Sequence, residues 1–291
     1  MAYTTIDNPE LYFQTKLYTG NATDDTAITL DGSENMQPDW VWTKERSQTG
    51  NHNLFDSVRG VSKRIRTEIE SAESTLSPVN QIKSFDSDGF TLGTNNGSNE
   101  NSVTFVAWCW KAGTSFSNDA SATGVGTIDS SGSASDTAGF SIVSWTGTAS
   151  NGTVKHGLST APKMIWIKNR TTAHSWSIYN KDIGNTKFLK IDTNSAEDTN
   201  VLRFNSTDPT SSVFSLGTHG SGNQSGDSII AYCFAEKQGY SKIGSYVGNG
   251  SSSGTYVHLG FKPAWGIFKR TDNTADWYIY DNKRNTFNVL D

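Results

Sequence analysis

A chain of 291 residues is long enough for two or three domains, each large enough to bury a hydrophobic core of its own. Its net charge of -5, with both signs interspersed, leaves no basic patch dense enough to bind nucleic-acid phosphates, which argues against DNA or RNA as a partner. No apolar run approaches the ~18 residues of a membrane helix, and the N-terminus lacks the basic and hydrophobic regions of a secretory signal, which argues against membrane insertion.

Residues 1–15 precede the first repeated motif, and we assign them to an N-terminal arm. The first repeat, residues 16–113, consists of short β-branched and aromatic runs separated by Gly, Asn, Asp and Ser. Such spacing is typical of antiparallel β-sandwiches and predicts an all-β fold. The run Trp40-Val-Trp-Thr-Lys44 is apolar on both faces, which predicts a central strand that emerges into solvent at its lysine. Residues 61–74 fit either a short helix or an exposed strand, and we favour the strand.

A second copy of the pattern occupies residues 139–241. Lys168 lies 124 positions after Lys44, and Cys233 lies 124 positions after Cys109. This offset holds from Trp40 to Trp110, which indicates duplicated domains. The Ser-, Gly- and Ala-rich residues 114–138 lie between the two copies, and we interpret them as a flexible or extended linker.

A third copy begins at residue 242 and covers only the first half of the pattern by residue 291. Its Lys269 lies 225 positions after Lys44 and, like Lys168, is expected to mark the end of a strand. Half a sandwich exposes its inner apolar face and unpaired strand edges. We therefore expect residues 243–291 to be continued by further sequence or docked on a neighbouring protomer.

The two cysteines occupy equivalent positions in separate repeats. Equivalent positions in separate domains face separate cores, so we expect Cys109 and Cys233 to be reduced thiols that form no disulfide.

Two polar hairpin tips are the candidate partner-contact surfaces. Both lie between strand-like runs, at residues 95–102 and 219–227, and loops on a stiff scaffold can vary without cost to core stability. The residues singled out are Asn95, Asn96 and Asn99 in the first tip and His219, Asn223 and Gln224 in the second.

Motifs for catalysis or metal binding are weak. Asp86, Asp88 and Gly89 suggest a calcium-binding turn, but the matching segment of the second repeat has no carboxylate, so a solvent-facing turn is favoured. The histidines lack metal-ligand spacing, and no recurring pair of carboxylates places a general acid opposite a base. We expect no catalytic site, no cofactor and no metal.

One charged pair recurs in a selective way. Asp56 and Arg59 of the first repeat have counterparts in the third, whereas the second repeat has Asn180 and Ile183 instead. Joint presence and joint absence predict an ion pair or a side-chain-to-backbone bridge that shapes the turn. A clamp for an anionic ligand is the alternative.

Several phrases together resemble a known family: Tyr18-Thr-Gly-Asn, Gln37-Pro-Asp-Trp-Val-Trp-Thr-Lys44, Leu54-Phe-Asp-Ser-Val-Arg-Gly60, Ser84-Phe-Asp-Ser-Asp-Gly-Phe-Thr-Leu-Gly93 and Val106-Ala-Trp-Cys-Trp-Lys-Ala-Gly113. As a set, they resemble a repeat module of virion proteins from tailed bacteriophages, especially marine and cyanobacterial ones. The resemblance covers residues 16–291. It implies tandem concanavalin-like jelly-roll sandwiches and a structural, tail-fibre-like role without catalytic residues.

The expected function follows from this resemblance. The protein would be a virion component assembled in the host bacterial cytoplasm, with residues 1–15 attached to other virion proteins and the sandwiches projecting outward. A homo-oligomer, most simply a trimer, and a host surface glycan or receptor are the expected partners. A capsid decoration protein is the first alternative, and a glycan-binding module is the second.

Overall fold

The structure is a computed structural model that describes residues 4–75 and 81–284. It confirms the all-β sandwich fold: strands in antiparallel sheets form the framework, and the helices within the described ranges are single turns. These turns are a 3₁₀ turn (Pro9–Leu11), α1 (Asn96–Asn99), α2 (Ala120–Thr123) and α3 (Gly220–Asn223).

The first repeat is a sandwich of a six-stranded and a three-stranded sheet. The strands of the large sheet, in the order β1-β9-β3-β4-β5-β6, are β1 (Phe13–Thr19), β3 (Trp40–Glu45), β4 (Asn53–Asp56), β5 (Lys63–Arg66), β6 (Ser74–Thr75) and β9 (Thr104–Trp110). Those of the small sheet, in the order β2-β8-β7, are β2 (Thr26–Thr29), β7 (Ile82–Asp86) and β8 (Gly89–Leu92). The strand preferred for residues 61–74 is therefore confirmed at β5.

The second repeat shares four strands of this large sheet and adds two further strands at one edge. Its six-stranded sheet, in the order β10-β11-β12-β19-β14-β15, contains β10 (Thr114–Asn118), β11 (Ser130–Ser135), β12 (Phe140–Thr146), β14 (Met164–Asn169), β15 (Ser177–Asn180) and β19 (Ser228–Phe234). Its smaller sheets pair β13 (Gly152–Lys155) with β18 (Val213–Leu216), and β16 (Lys187–Phe188) with β17 (Asp198–Thr199). In register, Trp42 opposes Trp108 in the first repeat, and Trp166 opposes Tyr232 in the second.

The assignment of residues 114–138 to a linker is wrong, because β10, α2 and β11 extend the second sheet beyond β12. The small residues that suggest a linker instead allow close strand packing. A Cβ atom on Gly132 would lie 2.1 Å from the carbonyl oxygen of Ile142, so only glycine fits at this position. The proposed arm is also too long, since β1 begins at Phe13 and pairs with β9 from that residue onward.

The third repeat contributes one hairpin to the described part of the chain, β20 (Trp265–Lys269) paired with β21 (Trp277–Asp281). The two faces of this hairpin differ in their exposure to solvent. Trp265 and Trp277 pack against the core of the other repeats, whereas Phe268, Tyr278 and Tyr280 on the opposite face are 43 to 53% exposed. The apolar exposure expected for half a sandwich is therefore present on one face only. Residues 285–291 lie outside the described residues.

Each complete repeat has a core between its own sheets. Val41, Phe55 and Cys109 face Phe90 and the other small-sheet residues in the first repeat. The equivalent residues of the second repeat form a separate core. Both cysteines are buried and free, as predicted, and burial raises the pKa of their thiols.

The opposite faces of the two large sheets pack on each other. Trp40 is fully buried and stacks on Tyr232 (ring centroids 4.9 Å apart) and Phe140 (5.4 Å), and it contacts the edge of Trp166 (5.9 Å). A third core, built from all three repeats, results from this packing. The double-sided apolarity of β3 therefore has two separate causes: one face covers a core within the repeat and the other covers a core between repeats.

We expect Trp40→Ala to reduce the free energy of unfolding by about 3–5 kcal/mol, because it opens a large cavity between repeats. Urea denaturation should still show one transition, since the first and second repeats lose packing together. Tyr256→Ala is the control, because its side chain is 86% exposed and its removal should change stability by less than about 0.5 kcal/mol. Two separated transitions in the unmodified protein, or a negligible effect of Trp40→Ala, would contradict a shared core.

Candidate interaction surfaces

Hydrogen bonds between repeats connect residues at equivalent repeat positions. The Tyr232 hydroxyl of the second repeat donates to Asp56 Oδ2 of the first at 2.7 Å. Trp108 Nε1 of the first repeat donates to Asp281 Oδ2 of the third at 3.0 Å. Because Tyr232 is the counterpart of Trp108, and Asp281 that of Asp56, the same contact occurs at two junctions.

A second set of equivalent contacts continues the pattern. Trp176 Nε1 of the second repeat donates to the Arg66 carbonyl of the first at 3.1 Å. Trp277 Nε1 of the third repeat donates to the Lys190 carbonyl of the second at 2.8 Å. The contacts therefore run from the second repeat to the first, from the third to the second and from the first to the third. A head-to-tail sequence that closes in this way is a ring with approximate threefold symmetry.

Two of the three lysines expected to emerge into solvent, Lys168 and Lys269, take part in these junctions, whereas Lys44 is half-buried and donates to the carbonyl of Glu45 in its own strand. Lys168 is fully buried, and its Nζ donates to the carbonyls of Glu70 and His174 at 3.1 and 2.8 Å. Burial lowers its pKa to about 8. Lys269 repeats the contact on the carbonyl of Asn194, the counterpart of Glu70. The prediction is wrong for Lys168, because one carbonyl of the neighbouring repeat and two of its own repeat replace water around the ammonium group.

The ion pair predicted from Asp56 and Arg59 is confirmed. Arg59 Nε lies 2.5 Å from Asp56 Oδ2, and both side chains are fully buried. Arg59 also contacts Glu73 at 3.1 Å, and Glu73 accepts two hydrogen bonds from Arg170 of the second repeat. Burial alone would raise the pKa of Glu73, but the hydrogen bonds and charges of both arginines outweigh it, so that pKa is lowered. The turn residues thus extend into a charge network across the junction.

The two hairpin tips are helical turns with partly buried residues. The side chains of Asn95 and His219 cap the turns by accepting from the amides of Gly97 and Ser221. Asn96 and Gln224 are exposed, and Gln224 Oε1 lies 3.3 Å from His174 Nε2, so partner contact by these two residues stays a prediction. His219 is half-buried, and its burial lowers its pKa to about 4.

The prediction of partner contact is wrong for Asn99 and Asn223, whose side chains are buried. Asn99 Nδ2 donates to the Gly93 carbonyl, and Asn223 Nδ2 donates to the Gly217 carbonyl, in both cases at about 2.9 Å or less. These amides hold each tip against its own sandwich. Their recurrence at one repeat position is a signal of structure and not of binding.

The remaining chemistry-bearing residues were considered as a metal site, a turn and a junction depression in the described part of the chain. Within residues 4–75 and 81–284, no three His, Cys, Asp or Glu side chains are grouped to hold a metal ion. Asp88 Oδ1 accepts from the Met36 amide at 3.2 Å, which supports a turn. A depression of about 320 Å³ at the junction contains His52, Glu68 and Asp192. Burial lowers the pKa of His52 to about 4 and raises the pKa of both carboxyls, so their charged forms are disfavoured.

Residues 8–291 match a family described as a domain of unknown function, DUF7483. The chain belongs to this family. The DUF7483 match spans all three repeats, in agreement with the core that they share. Neither a curated protein nor a solved structure matches the chain. In the described part of this DUF7483 chain, no helix has the length and apolar character needed to cross a membrane.

Tyr232 and Trp108 are two of the junction residues that sequence reasoning missed. Both lie in apolar strand-like runs, whose pattern indicates burial and does not reveal a hydrogen bond to another repeat. The sequence contains a signal for this contact. Trp108 and Tyr232, which both carry a hydrogen-bond donor, occupy one repeat position, and an aspartate recurs at another, as Asp56 and Asp281. Pairing these recurrences across repeats would have identified the contact.

We expect Tyr232→Phe to reduce the free energy of unfolding by about 1–3 kcal/mol, because it removes a buried hydrogen bond to a charged acceptor. Calorimetry or urea denaturation measures this difference. Tyr278→Phe is the matched control, since its ring is 53% exposed and its change should stay below about 0.5 kcal/mol. Equal effects of both variants would exclude a stabilising contact between Tyr232 and Asp56.

Glu73 should make stability depend on pH. A carboxyl whose pKa is lowered in the folded state stabilises the protein above its unfolded pKa, near 4.5, and this contribution is lost as pH falls through the lowered value. We expect Glu73→Gln to cost about 2 kcal/mol at pH 7 and progressively less below pH ~4.5. Urea titrations at pH 7 and below pH ~4.5 measure this cost in unfolding free energy. Glu34→Gln is the control, because the Glu34 side chain is exposed. A cost that stays constant with pH would contradict the network.

Proposed function

We propose that this protein is a structural component of a tailed-bacteriophage virion, most simply a tail fibre or surface appendage that contributes to host attachment. The observation that carries the proposal is the shared aromatic core, which joins three repeats into one body. Such a body works through shape and attachment. The resemblance of the repeat motifs to those of phage virion proteins supports the same role.

The two proposed attachments use different parts of the chain: the N-terminal residues for the virion, and the hairpin tips for a host or a neighbouring subunit. The N-terminal residues before β1 are the proposed contact with other virion proteins, because they precede the sheet. The exposed tip residues Asn96 and Gln224 are the proposed contacts with a host surface glycan or receptor, or with a neighbouring subunit. Association of three chains, as is common in fibres, is part of the proposal.

A capsid decoration protein is the second candidate. The approximate threefold arrangement of the repeats favours it, because a body with this symmetry fits a threefold position on a shell. A glycan-binding module is the third candidate. Tyr256, Tyr278 and Tyr280 are exposed rings that could stack on sugars.

Immunogold electron microscopy of purified particles tests the proposal, with antibody raised against this chain. We expect label on the tail or its appendages. Label distributed over the shell would instead support the decoration role. Two negative results together would contradict both virion roles: particles that carry no label, and mass spectrometry that finds none of this polypeptide in them. A glycan array would then test the third candidate.

A further inference from the structure

The large sheet of the second repeat carries a two-stranded ribbon, β10 and β11, that has no counterpart in the sheet of the first. The ribbon extends the second sheet beyond β12, whereas β1 is itself the edge strand of the first sheet. Strands favour β-branched and aromatic residues. This ribbon instead contains six serines: Ser115, Ser117, Ser130, Ser131, Ser133 and Ser135. Strand propensity therefore does not explain its composition.

Four of these serines lie on the face of the ribbon that is directed toward the first repeat. Ser115 is opposite Ser133, and Ser117 is opposite Ser131. Ser133 is also opposite Ile142, which belongs to the core between repeats. Residues directly opposite each other in an antiparallel pair share one face of the sheet. The apolar face that packs on the first repeat therefore continues outward as a row of hydroxyl groups.

A groove of about 480 Å³ lies between these hydroxyl groups and the first repeat. Its volume falls within the range of small-molecule sites, roughly 300–1,000 Å³. All lining residues lie between positions 37 and 133, in the first two repeats. The polar lining includes Asp39, Ser57 and Lys111 of the first repeat and Ser115, Ser131 and Ser133 of the ribbon.

Asp39 fixes the walls of the groove. Its Oδ2 accepts from the amides of Ala112 and Gly113, both at 2.8 Å, and its Oδ1 accepts from the Ser57 hydroxyl at 2.7 Å. Gly113 has a φ of +92°, a conformation that favours glycine, and it lets the chain turn from β9 into β10. One carboxylate therefore holds both the start of the ribbon and the turn after β4, so the groove is formed before any ligand binds.

Two polar groups of the lining are left without a partner in the described part of the chain. Ser133 is only 6% exposed, yet its hydroxyl makes no hydrogen bond to a described residue. Lys111 is half-buried, and its ammonium group makes no ion pair there. Because Asp39 already accepts three hydrogen bonds, Lys111 supplies the free charge of the groove. Buried polar side chains are normally hydrogen-bonded, so these groups indicate a partner from outside the chain.

We propose that this groove binds a saccharide that carries a carboxylate, such as a uronic acid unit of a surface polysaccharide. Sugar hydroxyls donate and accept hydrogen bonds, as the serine hydroxyls do, and a carboxylate pairs with the Lys111 ammonium group. Val58 and Phe116 supply apolar lining for the C–H face of a sugar ring. The proposal names a ligand class for the host contact proposed above and rests on that role, but binding by the isolated chain is measured without the particle.

A glycan array tests the proposal with the full chain. The array holds oligosaccharides that contain glucuronate, galacturonate, mannuronate or sialate, and the neutral counterparts of the three uronates. We expect binding to at least one carboxylate-bearing oligosaccharide and weaker binding to its neutral counterpart. Calorimetric titration with the strongest binder then measures the affinities of the variants.

Ser115→Leu and Ser117→Leu are a matched pair of variants. Both serines are exposed on the same face of β10, but only Ser115 lines the groove. Ser115→Leu should weaken binding roughly tenfold or more, because the larger side chain occupies the groove, whereas Ser117→Leu should leave the affinity unchanged.

Lys111→Gln tests the charge. It should weaken binding roughly three- to tenfold through loss of the ion pair with the carboxylate. Lys155→Gln is the control, because Lys155 is also half-buried but does not line the groove.

Three results would overturn the proposal. The first is an array without binding to any carboxylate-bearing oligosaccharide. The second is equal affinity of Ser115→Leu and Ser117→Leu, which would place the saccharide elsewhere on the chain. The third is equal affinity for the acidic glycan and its neutral counterpart, together with no effect of Lys111→Gln. None of these results alters the position of the chain on a particle, so immunogold labelling separates failure of this site from failure of the virion role.

Discussion

The packing of two equivalent aromatic sheet faces against each other is the interaction on which the rest of the structure depends. Trp40, Trp166 and Tyr232 are fully buried only because the large sheet of one repeat covers that of another. A single sandwich would leave this face in water, and large aromatic side chains contribute much of the apolar area that stabilises a core. The repeats are therefore mutually dependent parts of one body, in contrast to independent modules joined by linkers.

The polar atoms of this interface explain why the arrangement is directional. Apolar stacking alone tolerates several relative orientations, whereas Tyr232 must reach Asp56 and Trp176 must reach the Arg66 carbonyl. The first contact recurs between the first and third repeats and the second between the third and second repeats, which gives the approximate threefold relation. A molecule organised in this way presents loops in fixed positions, which suits the attachment role proposed for it.

Most of the fold could be predicted from the sequence, because repeated motifs identify strands at equivalent positions. What could not be predicted is which apolar face of β3 covers which core, since Trp40 and Val41 are both apolar and only tertiary packing separates their roles. Segment 114–138 is misleading because Ser and Gly suit both linkers and closely packed strands. Lys168 and Asn99 are misleading because their partners are backbone carbonyls, which leave no trace in composition.

Native-state hydrogen exchange measures the central claim most directly, through the opening free energies of amides in β3 and β14. A shared core predicts that both strands open together, with equal free energies that match global unfolding and respond equally to denaturant. Opening of β3 at a clearly lower free energy, while β14 stays protected, would show that the repeats are separate units and would contradict the account.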